Sequence, residues 1–134
     1  MLTSGRLYEH LKIDPAVAPA SLSGSATGAY RSMVGFKRAL FIVSAEALAD
    51  GQSVTAQILQ AKDAKGDGFT GVDGFSVALT GQVDADKAVA HVEIDGSELT
   101  DGFTHVALKL TSDAGVNASA VLIREGCTTG RTYP

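Results

Sequence analysis

Hydrophobic and polar positions alternate along most of the chain after residue 36. Apolar side chains occupy every second position in several segments, with polar side chains between them. This period of two is typical of β-strands that are buried on one face. Residues 37–45 are more continuously apolar, which predicts a strand buried on both faces. The strands predicted in this way cover residues 37–45, 53–61, 75–80, 88–94, 104–111 and 117–125.

Turn signals separate these segments. Asp-Gly pairs occur at residues 50–51, 95–96 and 101–102, and residues 63–74 are rich in glycine and aspartate. The spacing leaves no room for the long crossover helices that a parallel sheet needs. About six strands with short turns between them predict an all-β fold, an antiparallel β-sandwich that is jelly-roll-like. A turn at residues 112–115 is part of this prediction.

The first thirty residues have a different character. Residues 1–13 have the spacing of a short helix that ends before Pro15, and residues 15–28 combine two prolines with Ser, Gly and Ala. Such a composition leaves little to pack, so we predict an extended N-terminal arm. The predicted divisions are an arm with a short helix or extended segment and a linker (1–29), a β-sandwich domain (30–126) and a C-terminal tail (127–134).

Composition and charge exclude several classes of function. The chain has 134 residues, 45% of them hydrophobic, and a formal net charge of −4 without a basic stripe. We therefore expect one globular domain that binds no nucleic acid. No apolar run approaches the length of a bilayer span and no secretory signal is visible, so we expect no membrane contact. The single cysteine, Cys127, cannot form an internal disulfide and fits a reducing compartment.

Few residues offer candidate chemistry. The loop 63–68 has acidic residues at calcium-loop spacing, but Lys65 interrupts the pattern and the closing acid is missing, so we interpret it as a glycine-rich turn and leave calcium open. His91 and His105 could meet on neighbouring strands beside Glu93, although nothing in the spacing requires it. His10 is isolated and Cys127 has no nearby base. We predict no catalytic, cofactor-binding or metal residues, no cofactor and no enzyme.

Two segments carry a resemblance to a known family. In residues 30–43 an apolar strand follows a polar arm, and in residues 54–66 a strand ends in a glycine and aspartate loop. Across residues 28–125 the chain resembles the capsid decoration (cement) proteins of tailed bacteriophages. The resemblance implies a homotrimeric virion structural protein, made in the host cytoplasm, that binds and stabilises the major capsid protein lattice at the capsid surface.

The same resemblance assigns a role to the arm. Extended segments can bind by pairing with the edge of a neighbour's sheet, and symmetric copies multiply weak contacts. Deleting residues 1–27 is then expected to abolish capsid binding and to leave the sandwich folded.

Three alternatives remain open. The first is a non-catalytic ligand-binding β-sandwich for carbohydrate or receptor binding, although Tyr8, Tyr30 and Tyr133 lie outside the predicted strands. The second is a cupin-like enzyme, for which the three histidines are too scattered. The third is a tail or baseplate component in place of a capsid decoration protein.

Overall fold

The described part of the chain is an all-β fold. The computed structural model describes residues 11–46, 48, 51–80 and 88–126. Every pairing between strands is antiparallel, which confirms the predicted fold class. None of these residues belongs to a helix long and apolar enough to cross a bilayer. The strands are β1 (Leu11–Thr27), β2 (Arg31–Ser32), β3 (Phe36–Ala45), β4 (Ser53–Ala61), β5 (Thr70–Thr80), β6 (Ala88–Asp95) and β7 (His105–Gly126), with a 3₁₀ turn at Gly96–Glu98.

Strand β7 organises the whole fold because it is 22 residues long and pairs along both edges. One edge of β7 pairs with β4 in its first half and with β3 in its second half. Strand β1 follows the other edge through both halves. Strand β3 also pairs with β6, and β4 also pairs with β5. The strands therefore form two layers that have β1 and β7 in common. We call β1–β7–β3–β6 the front layer and β1–β7–β4–β5 the back layer; together they are nearly barrel-shaped.

The turn predicted at residues 112–115 is a bulge inside β7. The β1–β7 register passes from Gly24 opposite Ser112 to Leu22 opposite Val116, so β7 contains extra residues at this point. Gly115 adopts a φ of 61°, in the left-handed region that glycine accepts without a steric penalty. Such a bulge bends a strand without ending it. The local turn signal is real, but its effect is to let one strand serve both layers.

The segment predicted as a separate arm and linker is part of the sheet over residues 11–27. Strand β1 pairs with β7 along its length, and Ala16, Val17 and Leu22 are buried in the common core. The prediction therefore fails for this segment, because backbone pairing with β7 and three buried side chains hold it in the sheet, although most of its small side chains are exposed. A helix is likewise absent at residues 11–13, which are strand; residues 1–10 and 127–134 lie outside the described residues.

Strand β5 begins earlier than predicted. Residues 70–74, expected to belong to a loop, are strand, and the register shifts between Gln57 and Leu59 of β4. The Gln57 side chain lies at this irregularity and donates hydrogen bonds from Nε2 to the carbonyl oxygens of Val72 (2.8 Å) and Phe75 (3.4 Å). A side-chain amide thus replaces the strand pairing that the bulge interrupts.

One hydrophobic core fills the space between the layers. It draws on every long strand, and the predicted inward faces of residues 54–58 and 106–110 are buried. Burial of these side chains is the main favourable contribution to folding. The largest fully buried side chains are Phe41, Ile58, Ile94, Leu108, Leu110, Leu122, Val43, Val54 and Val106.

Candidate interaction surface

The outer side of the front layer carries a contiguous apolar surface. Alternate residues of a strand point to opposite faces, and directly paired residues share a face. The residues that alternate with the buried ones on β1, β7 and β3 are mostly aliphatic and are at least partly exposed. We call this surface the aliphatic face; it consists of Leu11, Ile13, Pro15, Leu40, Ile42, Val121 and Ile123.

Strand register joins these residues into two rows. Ile123 of β7 lies opposite Ile13 on one side and Leu40 on the other. In the next row, Val121 lies between Pro15 and Ile42. Ile13 is 55% exposed and Val121 is 39% exposed. Single exposed apolar residues are ordinary, but a contiguous set across three strands is typical of a protein contact surface.

A charged row closes one end of the aliphatic face. Arg38 donates hydrogen bonds from Nε (2.9 Å) and Nη2 (2.6 Å) to Oε1 of Glu125. Its Nε also lies 3.9 Å from Oε2 of Glu93, which is on β6 opposite Leu40, in the next row. The hydrogen bond to Glu125 raises the pKa of Arg38, so the guanidinium stays protonated. A depression of about 350 Å³ lies between this row and the aliphatic residues; its lining is Leu11, Arg38, Leu40, Glu93, Ile123 and Glu125.

The edge of β1 is built differently from this face. Within the described residues, β1 pairs with β7 alone, so its other edge has no strand partner. Pro15 and Pro19 lie in β1, and its register shifts at three places. Prolines and bulges are the features that protect sheet edges from pairing with another chain. Binding by sheet extension, as expected for the arm, is therefore disfavoured along β1, and contact through the face is favoured.

The two histidines considered as a candidate pair are not brought together. His105 begins β7 and pairs with Ser32 and Ala61, while His91 on β6 lies opposite Ile42. Strand β3 separates β6 from β7. Nδ1 of His105 is 2.9 Å from Oγ1 of Thr104.

Glu93 is likewise engaged elsewhere, since it lies beside Arg38. Among the residues that the structure describes, no group of three His, Cys, Asp or Glu side chains could hold a metal ion. His10 and Cys127 lie outside the described residues.

The loop 63–68 uses its first carboxylate to hold its own turn. Oδ1 of Asp63 accepts hydrogen bonds from the backbone N–H groups of Lys65 (2.9 Å) and Asp67 (3.1 Å). This is the local bonding by which aspartate stabilises turns. A Cβ at Gly66 would lie 2.7 Å from the ring of Tyr30, so glycine lets that ring pack closely. Burial of the ring raises the pKa of Tyr30.

A buried ion pair joins β1 to β7 on the inner side of the front layer. Nη2 of Arg124 is 2.6 Å from Oδ2 of Asp14, and the two side chains are only 7% and 16% exposed. Nη1 of Arg124 donates to the carbonyl oxygen of Ser32 at 2.6 Å. The guanidinium also lies 4.5 Å from the centre of the Phe36 ring. The pair therefore fixes β1 and the chain before β3 to the end of β7.

Comparison with known proteins shows a likeness of fold. No protein-family model and no curated protein sequence matches the chain. The SPBc2 prophage-derived protein YomS matches with a TM-score of 0.50 and 10% identity, over 86% of this chain and 93% of that chain. A chain of the naturally occurring empty particles of cowpea mosaic virus (top component) matches with a TM-score of 0.52 and 8% identity, over 92% and 89%.

A third similar structure is larger than this chain. A chain of infectious bursal disease virus, Gx strain, matches with a TM-score of 0.52 and 14% identity. The match covers 90% of this chain and 33% of that one. At these identities the likeness concerns the fold. The chain has a β-sandwich fold that also occurs in virus particles and in a prophage-derived protein.

Proposed function

We propose that the chain is a virion structural protein of a tailed bacteriophage, a capsid decoration (cement) protein that binds and stabilises the major capsid protein lattice. The observation that carries this proposal is the aliphatic face. A contiguous apolar sheet face in water is unfavourable by itself, because its hydration costs free energy that burial would recover. Such a face is retained where a protein contact covers it.

The strands and core behind the aliphatic face suit a contact that is formed without rearrangement. Two shared strands and one continuous core hold the front layer rigid, so little conformational entropy is lost on binding. The fold also occurs in virus particles, which agrees with this role. On this proposal the protein is made in the host cytoplasm, lies on the capsid surface, associates with copies of itself and acts without catalysis.

The size of the face favours a contact that is repeated many times. Three strands at about 4.8 Å spacing and three rows of alternate residues give a footprint of about 15 Å by 20 Å, or roughly 300 Å² per copy. A stable one-to-one complex usually buries about 800 Å² per partner. A contact of less than half that size is weak alone, but many copies on one lattice gain from avidity.

Replacing Ile123 with aspartate is expected to lower binding to the capsid lattice at least tenfold. The change places a charge at the centre of the aliphatic face, where binding would have to remove its water. The matched control is Val34→Asp, because Val34 is 70% exposed and lies outside this face. Binding is measured by co-sedimentation with particles assembled from the major capsid protein encoded by the same genome.

Circular dichroism first establishes that both variants are folded. Full binding by Val34→Asp and weak binding by Ile123→Asp support the proposal. Equal binding by the two variants, or no binding by the unaltered chain, contradicts it.

A further inference from the structure

The front layer has an arrangement that can pack against a copy of itself. Its strand order is β1–β7–β3–β6, with β7 and β3 in the middle. Consider two copies packed face to face and related by a two-fold axis that runs parallel to the strands, between β7 and β3. This axis reverses the strand order in the second copy and keeps each row of residues at the same position along the strands. In such an isologous pair, β7 of one copy faces β3 of the other.

On the two central strands, this operation places aliphatic side chains on aliphatic side chains. Ile123 shares a row with Leu40, so each would face the other residue in the second copy. Val121 and Ile42 share the next row and would be opposed in the same way. Two sheets that pack face to face lie about 10 Å apart with their side chains interdigitated. The pair would thus resemble the two layers of a β-sandwich.

The outer strands of the front layer form the rim of this contact. The same axis opposes Ile13 of β1 to Glu93 of β6, and Pro15 of β1 to His91 of β6. Polar groups are usual at the rim of a protein interface, where they stay accessible to water.

The charged row distinguishes this axis from the other possibility. Arg38 and Glu125 share one row, so the axis along the strands opposes Arg38 of each copy to Glu125 of the other. An in-plane axis perpendicular to the strands would instead oppose the row of Arg38 to a row such as that of Ser44 and Ser119. Only the first arrangement makes a closed ring of alternating charges, which favours one partner and one register.

We propose that the aliphatic face is a two-fold interface between copies of this chain. The proposal deepens the proposed function and rests on it, since it names a second copy as what covers the face in the assembly. The lattice is then bound by the outer surface of the pair, and Ile123→Asp lowers lattice binding because it separates the pair and removes the avidity of two linked copies. It differs from the trimer that the resemblance implies, because a self-complementary face closes in pairs. With about 300 Å² per copy the pair is smaller than a standard stable interface, so it is expected to form weakly and reversibly.

Charge reversal on the full chain tests this interface. Sedimentation velocity from about 10 to about 500 μM should show a concentration-dependent dimer of the unaltered chain, as a contact of this size is weak. Arg38→Glu and Glu125→Arg should each weaken the homodimer at least tenfold, because each opposes like charges across the axis. An equimolar mixture of the two variants should restore a dimer, because the introduced charges face each other and the native charges face each other.

A control variant separates loss of the interface from loss of folding. Val34→Asp should dimerise like the unaltered chain, and circular dichroism should show all variants folded. A monomeric unaltered chain at the highest concentration, single variants that dimerise normally, or a mixture that stays monomeric each overturn the interface. Co-sedimentation with capsid particles is read separately: dimerisation without particle binding rejects the decoration role alone, and particle binding by a strictly monomeric chain rejects the interface alone.

Discussion

Deletion of residues 1–27 is expected to leave a chain that does not fold. Strand β1 contributes Ala16, Val17 and Leu22 to the core and Asp14 to the buried ion pair, and it covers one whole edge of β7. Its loss exposes core side chains and unpairs the longest strand, which together exceed the stability of a typical domain. Thermal unfolding followed by circular dichroism should show no cooperative transition.

A matched pair of substitutions gives the same test without truncation. Leu22 is 3% exposed, so Leu22→Ala should lower the free energy of unfolding by about 3 kcal/mol, as cavity-forming changes do. Ser23 is exposed, and Ser23→Ala should change it by less than about 0.5 kcal/mol. A truncated chain with a native spectrum and a normal transition would return residues 11–27 to the role of a detachable arm.

Replacing Asp14 with alanine is expected to lower the free energy of unfolding by about 3 kcal/mol, because removing one partner leaves a buried charge without its counter-charge. Arg124 would keep the Ser32 carbonyl and the Phe36 ring, both of which are neutral. Its Nε is buried and has no hydrogen-bond partner among the described residues, so none of them is placed to compensate. Urea unfolding of the variant measures the loss.

The control for this substitution is an ion pair of equal length. Arg38 and Glu125 are also 2.6 Å apart, but their side chains are 43% and 38% exposed. Water and salt screen such pairs, so Glu125→Ala should barely move the urea midpoint. Replacing both Asp14 and Arg124 by apolar residues, as Asp14→Leu with Arg124→Met, should recover much of the loss. Equal losses from Asp14→Ala and Glu125→Ala would refute the special role of the buried pair.

Local pattern was sufficient for the strands that alternate regularly. Strand β4 has the predicted bounds, and β6 differs from prediction by only one residue at its end. These strands bury one face, so the alternation of apolar and polar residues follows directly from their burial. The sequence of β1 does not alternate in this way, because its position in the sheet depends on pairing with β7, about a hundred residues further along the chain. The Asp14–Arg124 pair could not be predicted from the sequence for the same reason, since 110 residues separate its two members.

The candidate surface was missed because sequence does not distinguish a core from an interface. Residues 37–45 were predicted to be buried on both faces, yet Leu40 and Ile42 are partly exposed within the chain. A strand that is covered on one side by its own core and on the other by a partner has the same composition as one inside a single domain. The excess of apolar residues in β3 and β7 is the signal that could have indicated a contact surface.

Quantitative mass spectrometry of purified phage particles, with cryo-electron microscopy of the same particles, can decide whether this chain is part of a virion. We expect the protein in a fixed ratio to the major capsid protein, as regular density on the capsid surface in which the aliphatic face is covered. Particles from the same source that lack the protein, or a location in the tail or baseplate, would contradict the assignment as a capsid decoration protein.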